Sequence, residues 1–180
     1  GELFLDISST IQLIVLVILL ALSAFFSSSE TALTTVNRIR MRSLAEEGNK
    51  RAARVLQVTD DSAKMLSAIL IGNNVVNLTA SSLATALPLR IFGNAGAGIA
   101  TGILTVMILI FGEISPKTMA TLRAEKISLR FCNIIWLLMK VLTPVIFIIN
   151  HLAMLVLRLM GVKASEGRQA MTESELRTIV

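Results

Sequence analysis

The sequence predicts an all-α membrane protein, with three transmembrane helices and further helices along the cytoplasmic membrane face. Two observations carry this prediction. Hydrophobic residues make up 54% of the 180-residue chain and charged residues only 16%, whereas soluble domains are roughly a quarter charged. The apolar residues are also gathered into runs of about 20, the length that crosses a hydrocarbon core. Lysine and arginine cluster in stretches that flank those runs.

The first span is expected over residues 11–33, where only Glu30 is charged. Residues 37–57 form a basic segment, with Arg38, Arg40, Arg42, Lys50, Arg51 and Arg54 against Glu46 and Glu47. Its composition predicts two short helices broken near Gly48-Asn49. The second span, residues 65–89, has no charge. A glycine-rich turn near residues 92–96 then leads to a third span over residues 96–121, and the link between the two holds only Arg90. Lys117, Arg123, Lys126 and Arg130 follow. Cytoplasmic loops carry the excess of lysine and arginine. The basic segment and the end of the third span are therefore expected in the cytoplasm, and the N-terminus and the Arg90 turn outside.

Residues 131–160 are apolar enough for a fourth span, but Lys140, Thr143-Pro144 and Asn150-His151 interrupt them. A proline removes a helix hydrogen bond. The pattern favours juxtamembrane helices over residues 123–160, lying on the cytoplasmic face, rather than a fourth span. Residues 1–160 thus read as one transmembrane domain and 161–180 as a polar linker. In that linker Thr172 and Glu175 have the spacing of a helix-starting capping box, as if another domain began there.

Composition also sets aside several classes. The net charge is +5, but the basic clusters flank spans and lack interleaved aromatics, so they read as lipid-facing or orienting rather than nucleic-acid binding. The residues before the first span include Glu2 and Asp6, unlike the basic start of a cleavable signal peptide. The single cysteine, Cys132, has no partner in the chain for a disulfide. No Ser–His, paired-Asp or HExxH arrangement is present, and His151 reads as a packing residue. The chain is not expected to be an enzyme.

Three polar clusters interrupt the spans. Ser23 and Ser27 are four apart and share a helix face, followed by Ser28, Ser29 and Glu30. Asn73 and Asn77 repeat that spacing, with Gly72 and Asn74 beside them. Gly112-Glu113 is followed by Pro116. In an α-helix the N–H of residue 116 would bond the carbonyl of residue 112; proline has no N–H, so the Gly112 carbonyl is freed, and in a membrane it must find another partner. Together the clusters offer hydroxyl, amide, carbonyl and carboxylate oxygens, which suit Mg²⁺, Ca²⁺ or Na⁺ rather than zinc or copper. Each has a plain structural counterpart. The serines and asparagines could bond a neighbouring helix or their own backbone, Glu113 could pair with Lys117, and Glu30 could mark the interface. Gly98 and Gly102, and Ala80, Ser81, Ala84 and Thr85, add small-residue faces that allow close helix packing.

The stretches LSAFFSSSETAL (22–33), ILIGNNVVN (69–77) and FGEISPK (111–117) resemble, in that order, the transmembrane domain of the CorC/CNNM (cyclin M) family of magnesium transporters. The resemblance implies a multi-pass homodimer in the cell membrane, with three spans per protomer and a cytoplasmic C-terminus. It implies Mg²⁺ export from the cytoplasm coupled to Na⁺ entry, by alternating access around a dehydrated ion. The implied Mg²⁺ ligands are Ser23, Ser27, Asn73, Asn77 and the Gly112 carbonyl. Glu113, with Pro116, Asn74 and Glu30, is assigned to ion coupling or gating. Family members continue into a cytosolic CBS-pair domain absent from these 180 residues. The alternative expectation is a Mg²⁺-binding membrane sensor or scaffold that regulates another transporter.

Overall fold

The computed structural model describes residues 7–162, and all regular structure among them is helical. In order these are α1 (Ile7–Thr35), α2 (Arg38–Glu46), α3 (Lys50–Asp60), α4 (Ser62–Ile108), a π-helical segment (Leu109–Ile114), α5 (Ser115–Leu122), α6 (Ala124–Val141) and α7 (Thr143–Leu159). The expected linker beyond Val162, including the Thr172–Glu175 cap, lies outside the described residues. The chain divides into two compact units, residues 1–139 and 140–180.

Two helices are long and apolar enough to cross a membrane, Ile7–Thr35 and Ser62–Leu122; α6 and α7, interrupted at Leu142, would make a third if taken as one broken span. The 61-residue run Ser62–Leu122 would extend about 90 Å if straight, roughly three times the hydrocarbon thickness. It is not straight. Gly93 has φ 63° and ψ −169°, a backbone state open to glycine and costly for other residues. The chain reverses there. Thr101 Oγ1 reaches the Ala84 carbonyl at 3.4 Å, Leu87 shares a core with Leu104 and Ile108, and Asn77 bonds Glu113. The two arms are therefore antiparallel neighbours. The sequence suggested a loop over residues 92–96; in the structure the turn contracts to Gly93 alone, with helix assigned on both sides. One residue with positive φ suffices to reverse the chain, so the rest of the glycine-rich stretch stays helical.

α1 packs against both arms, and its burial inverts the usual pattern. Ile11, Ile14, Val17 and Ile18 are each more than half exposed, while Ser23, Ser27, Ser28 and Ser29 are buried. In water that would be an unstable arrangement. In lipid it is the expected one, because hydrocarbon accepts the aliphatic side chains and the protein interior takes the polar ones. Glycines set the closeness of approach. A Cβ on Gly72 would sit 2.5 Å from Phe26 Cζ, and one on Gly112 would lie 3.1 Å from both Leu20 Cδ1 and Ser23 Oγ. A Cβ on Gly98 or Gly102, by contrast, would meet nothing within 4 Å, so neither glycine is needed for a close approach within the chain. At the opposite end of α1, Arg90 Nη1 donates to Ser8 Oγ at 2.9 Å.

The basic segment forms α2 and α3, on either side of Gly48-Asn49. Gly48 takes φ 93° and ends α2, and Asn49 begins α3 by accepting from the N–H groups of Arg51 and Ala52 at 3.0 and 3.1 Å. Asn37 caps α2 likewise, accepting from Arg40 N–H at 3.1 Å. Met41, Ala52, Val55 and Val58 are fully buried, and an ion pair joins Arg38 to Asp60. α6 lies against this hairpin. The Arg54 guanidinium stands 3.8 Å from the Trp136 ring centroid, and Arg40 approaches Glu125 at 3.6 Å.

The second unit contains α7, with Pro144 in its first turn, where a missing N–H costs nothing. Pro144 thus starts a helix rather than kinking one. The His151 ring stacks on Phe147 at 4.1 Å, and its Nδ1 is 2.9 Å from the Phe147 carbonyl.

Candidate cation site

The three polar clusters, far apart in sequence, meet where α1 packs against both arms. Ser23 on α1 donates its hydroxyl to Asn77 Oδ1 on α4 at 2.8 Å, and the same oxygen lies 3.4 Å from the Gly112 carbonyl. Asn77 Nδ2 in turn donates to Glu113 Oε1 at 3.2 Å. Ser23, Asn77, Gly112 and Glu113 thus form one connected group.

The backbone at Gly112 differs from the sequence expectation. Leu109–Ile114 is π-helical, and Ser115 N–H bonds the Ile110 carbonyl five residues back. In that register the N–H absent from Pro116 would have served Phe111 rather than Gly112. The widened turn places the Gly112 carbonyl toward α1 instead, where the Ser23 hydroxyl meets it. π-bulges of this kind gather at functional sites. Pro116 acts through register, at the start of α5, and its side chain lines a separate groove beside α1.

The site has more acceptors than donors. The Ser23 hydroxyl has one proton but faces two acceptors, Asn77 Oδ1 and the Gly112 carbonyl. One turn further along each helix, Ser27 Oγ and Asn73 Oδ1 are buried without a hydrogen-bond partner. A buried, unsatisfied polar group costs about 1–3 kcal/mol, and such groups in a native structure call for a ligand or a functional reason. A hard cation is one partner that such oxygens accept; Gln12 Oε1, Ser29 Oγ and Ser128 Oγ are buried without a hydrogen-bond partner as well. Among the described residues no group of three or more His, Cys, Asp or Glu side chains could hold a metal, so the donor set is neutral oxygens with one carboxylate. Glu113 makes no ion pair with Lys117 among the described residues; its partner is Asn77. Beyond Asn77 and Glu113 lies a cavity of about 240 Å³ between the two arms, lined also by Ser81, Thr85 and Thr105.

Two residues singled out in the sequence stand apart. Asn74 is exposed and Glu30 half-buried, and neither side chain bonds to the cluster. One residue along from Asn73 turns a helical side chain by about 100°, which carries Asn74 to another face. Sequence reasoning missed the π segment, the Asn77–Glu113 bond and the Phe26–Gly72 contact. The first had a signal, since a proline four residues after a glycine invites a register change. The other two depend on which helices become neighbours.

The sequence matches the Cyclin M transmembrane N-terminal domain over residues 14–180. The chain belongs to the cyclin M transmembrane-domain family. This cyclin M chain is similar to a UPF0053 protein of Haemophilus influenzae, 42% identical over 93% of the chain and 40% of that relative. It is also similar to the UPF0053 inner membrane protein YfjD of Escherichia coli, 39% identical over 88% of the chain and 37% of the relative. A chloroplastic DUF21 domain-containing protein of Arabidopsis thaliana is 38% identical over 94% of the chain. The chain spans about two fifths of the length of the two bacterial relatives.

Proposed function

We propose that this cyclin M domain binds Mg²⁺ between its helices and exports it from the cytoplasm, coupled to Na⁺ entry. The observation that carries the reading is the surplus of buried oxygen acceptors: the Ser23 hydroxyl shared between two acceptors, with Ser27 Oγ and Asn73 Oδ1 unpaired. Mg²⁺ demands near-octahedral oxygens at roughly 2.0–2.1 Å and dehydrates reluctantly. Ser23, Ser27, Asn73, Asn77 and the Gly112 carbonyl would replace its water, and Glu113 would supply charge beside them. Oxygens already held in place offset part of the dehydration cost, because little must be reorganised on binding. Interrupted helices near the membrane midplane are how secondary transporters hold ions, and the π segment is such an interruption.

The proposed topology has three spans: α1, the first arm of α4 and the second arm continuing into α5. The N-terminus and Gly93 lie outside, and α2, α3 and the C-terminus lie in the cytoplasm, with the domain in the cell membrane. The excess of lysine and arginine in residues 38–54 supports that orientation. A homodimer, through faces such as Gly98 and Gly102, and a following CBS-pair domain complete the proposed assembly. In an alternating-access cycle the site loads from the cytoplasm and releases outward as the seam between α1 and the two arms opens. No step in this scheme requires enzyme chemistry.

The test is flux. Full-length protein in liposomes, given an inward Na⁺ gradient, is expected to move Mg²⁺ against its own gradient. Mg²⁺ binding without flux would overturn the transporter reading and leave a sensor or scaffold that regulates another transporter.

A further inference from the structure

The face of α1 that carries Ala21, Ala24, Phe25 and Ser28 lines a groove of about 560 Å³ between α1, α5 and α6. That volume falls within the roughly 300–1,000 Å³ of ligand-binding pockets. The lining is of two chemical kinds. Phe25, Phe111, Met119 and Phe131 are apolar, and Phe25 and Phe131 pack edge to face at 4.8 Å. Arg123, Lys126 and Arg130 are cationic, and no carboxylate lines the groove. Lys126 and Arg130 are four apart on α6 and share a face, while Arg123 sits at the end of α5. All three are exposed, and none has an ion pair among the described residues. The nearby acid Glu125 is engaged by Arg40 instead.

We propose that this groove binds an anionic phospholipid. The three cations take the phosphate headgroup, and an acyl chain lies along α1 over the aromatic and methionine lining. The argument is charge and depth together. Residues 21 to 28 cover about 10 Å of helix, inside the apolar span of α1. A soluble anion would use the cations and leave the apolar lining exposed, whereas a zwitterionic lipid would bring its own cation next to three like charges. Basic pockets beside transmembrane helices suit anionic headgroups. The proposal goes beyond the transport reading and does not depend on it.

The experiment is native mass spectrometry of the full-length protein in detergent, titrated with phosphatidylglycerol and with phosphatidylcholine of identical chains. Phosphatidylglycerol is expected to bind on the order of 100-fold more tightly, about fivefold for each cation near a charged headgroup. R123Q/K126Q/R130Q is expected to abolish that preference, and R42Q/K50Q/R51Q, which removes three charges outside the groove, to keep it. Ala24→Trp, which fills the groove and spares the charges, is expected to weaken phosphatidylglycerol binding at least tenfold. Equal affinity for the two lipids, equal losses in the two triple variants, unchanged binding by Ala24→Trp, or displacement of the lipid by inorganic phosphate would each overturn the proposal.

Discussion

Four asparagines divide into two pairs that do opposite things with the same amide. Asn37 and Asn49 stand at helix starts, where each side-chain oxygen accepts from backbone N–H groups left free by the first turn. Asn73 and Asn77 stand inside α4, where the N–H groups of the helix are already used. Asn77 spends its amide on two other helices, and Asn73 Oδ1 is left with nothing. The lesson is that an asparagine is structural where the backbone has something to give it. Where the backbone has nothing to give, the side chain must find another helix or a ligand.

The comparison breaks most sharply at Asn77. Asn77→Ala removes the oxygen that meets Ser23 and the amide that meets Glu113, and Mg²⁺ flux in liposomes is expected to fall at least tenfold. Because transport is the readout and binding the cause, isothermal titration with Mg²⁺ should show a parallel loss. Unchanged flux and binding would return Asn77 to the role of helix glue. Gly72→Ala tests the packing that brings this asparagine pair to α1. The added Cβ would fall 2.5 Å from Phe26 Cζ, and overpacking of this kind costs about 1–3 kcal/mol. A lowered thermal midpoint in detergent is expected, with partial recovery on adding Phe26→Leu. Asn49→Ala sharpens the other side. Loss of a cap costs about 1 kcal/mol, so the midpoint should drop slightly while flux stays at the parent level.

Much of the site was legible in the sequence because its residues are wrong for their surroundings. Serines four apart and asparagines four apart in apolar runs draw attention without any alignment, and the structure brings Ser23, Asn77, Gly112 and Glu113 into one bonded group. The helices were legible for a similar reason, since apolar runs bounded by basic residues leave few alternatives. Gly93 was half legible. Five residues of a glycine-rich stretch suggested a loop, and only φ at one of them decided the turn. Asn74 and Glu30 show the limit on the other side. Proximity in sequence to the bonded group says little when each step along a helix rotates the side chain by about 100°. The groove beside α1 was not visible at all. Arg123, Lys126 and Arg130 read as a simple run of cytoplasmic charge until α6 places them around one apolar hollow.

The one-residue reversal at Gly93 has a mechanical side. A hairpin joined by a long loop can slide one leg past the other; a hairpin joined by a single non-helical residue has no slack to feed such a slide. The two arms must then swing together as one lever. Any motion that opens the site has to occur across the seam with α1, where Gly72 meets Phe26 and Gly112 meets Ser23 with hardly a methyl group to spare. Opening would part the Gly112 carbonyl from the Ser23 hydroxyl in the same stroke, and so would separate two of the proposed Mg²⁺ ligands.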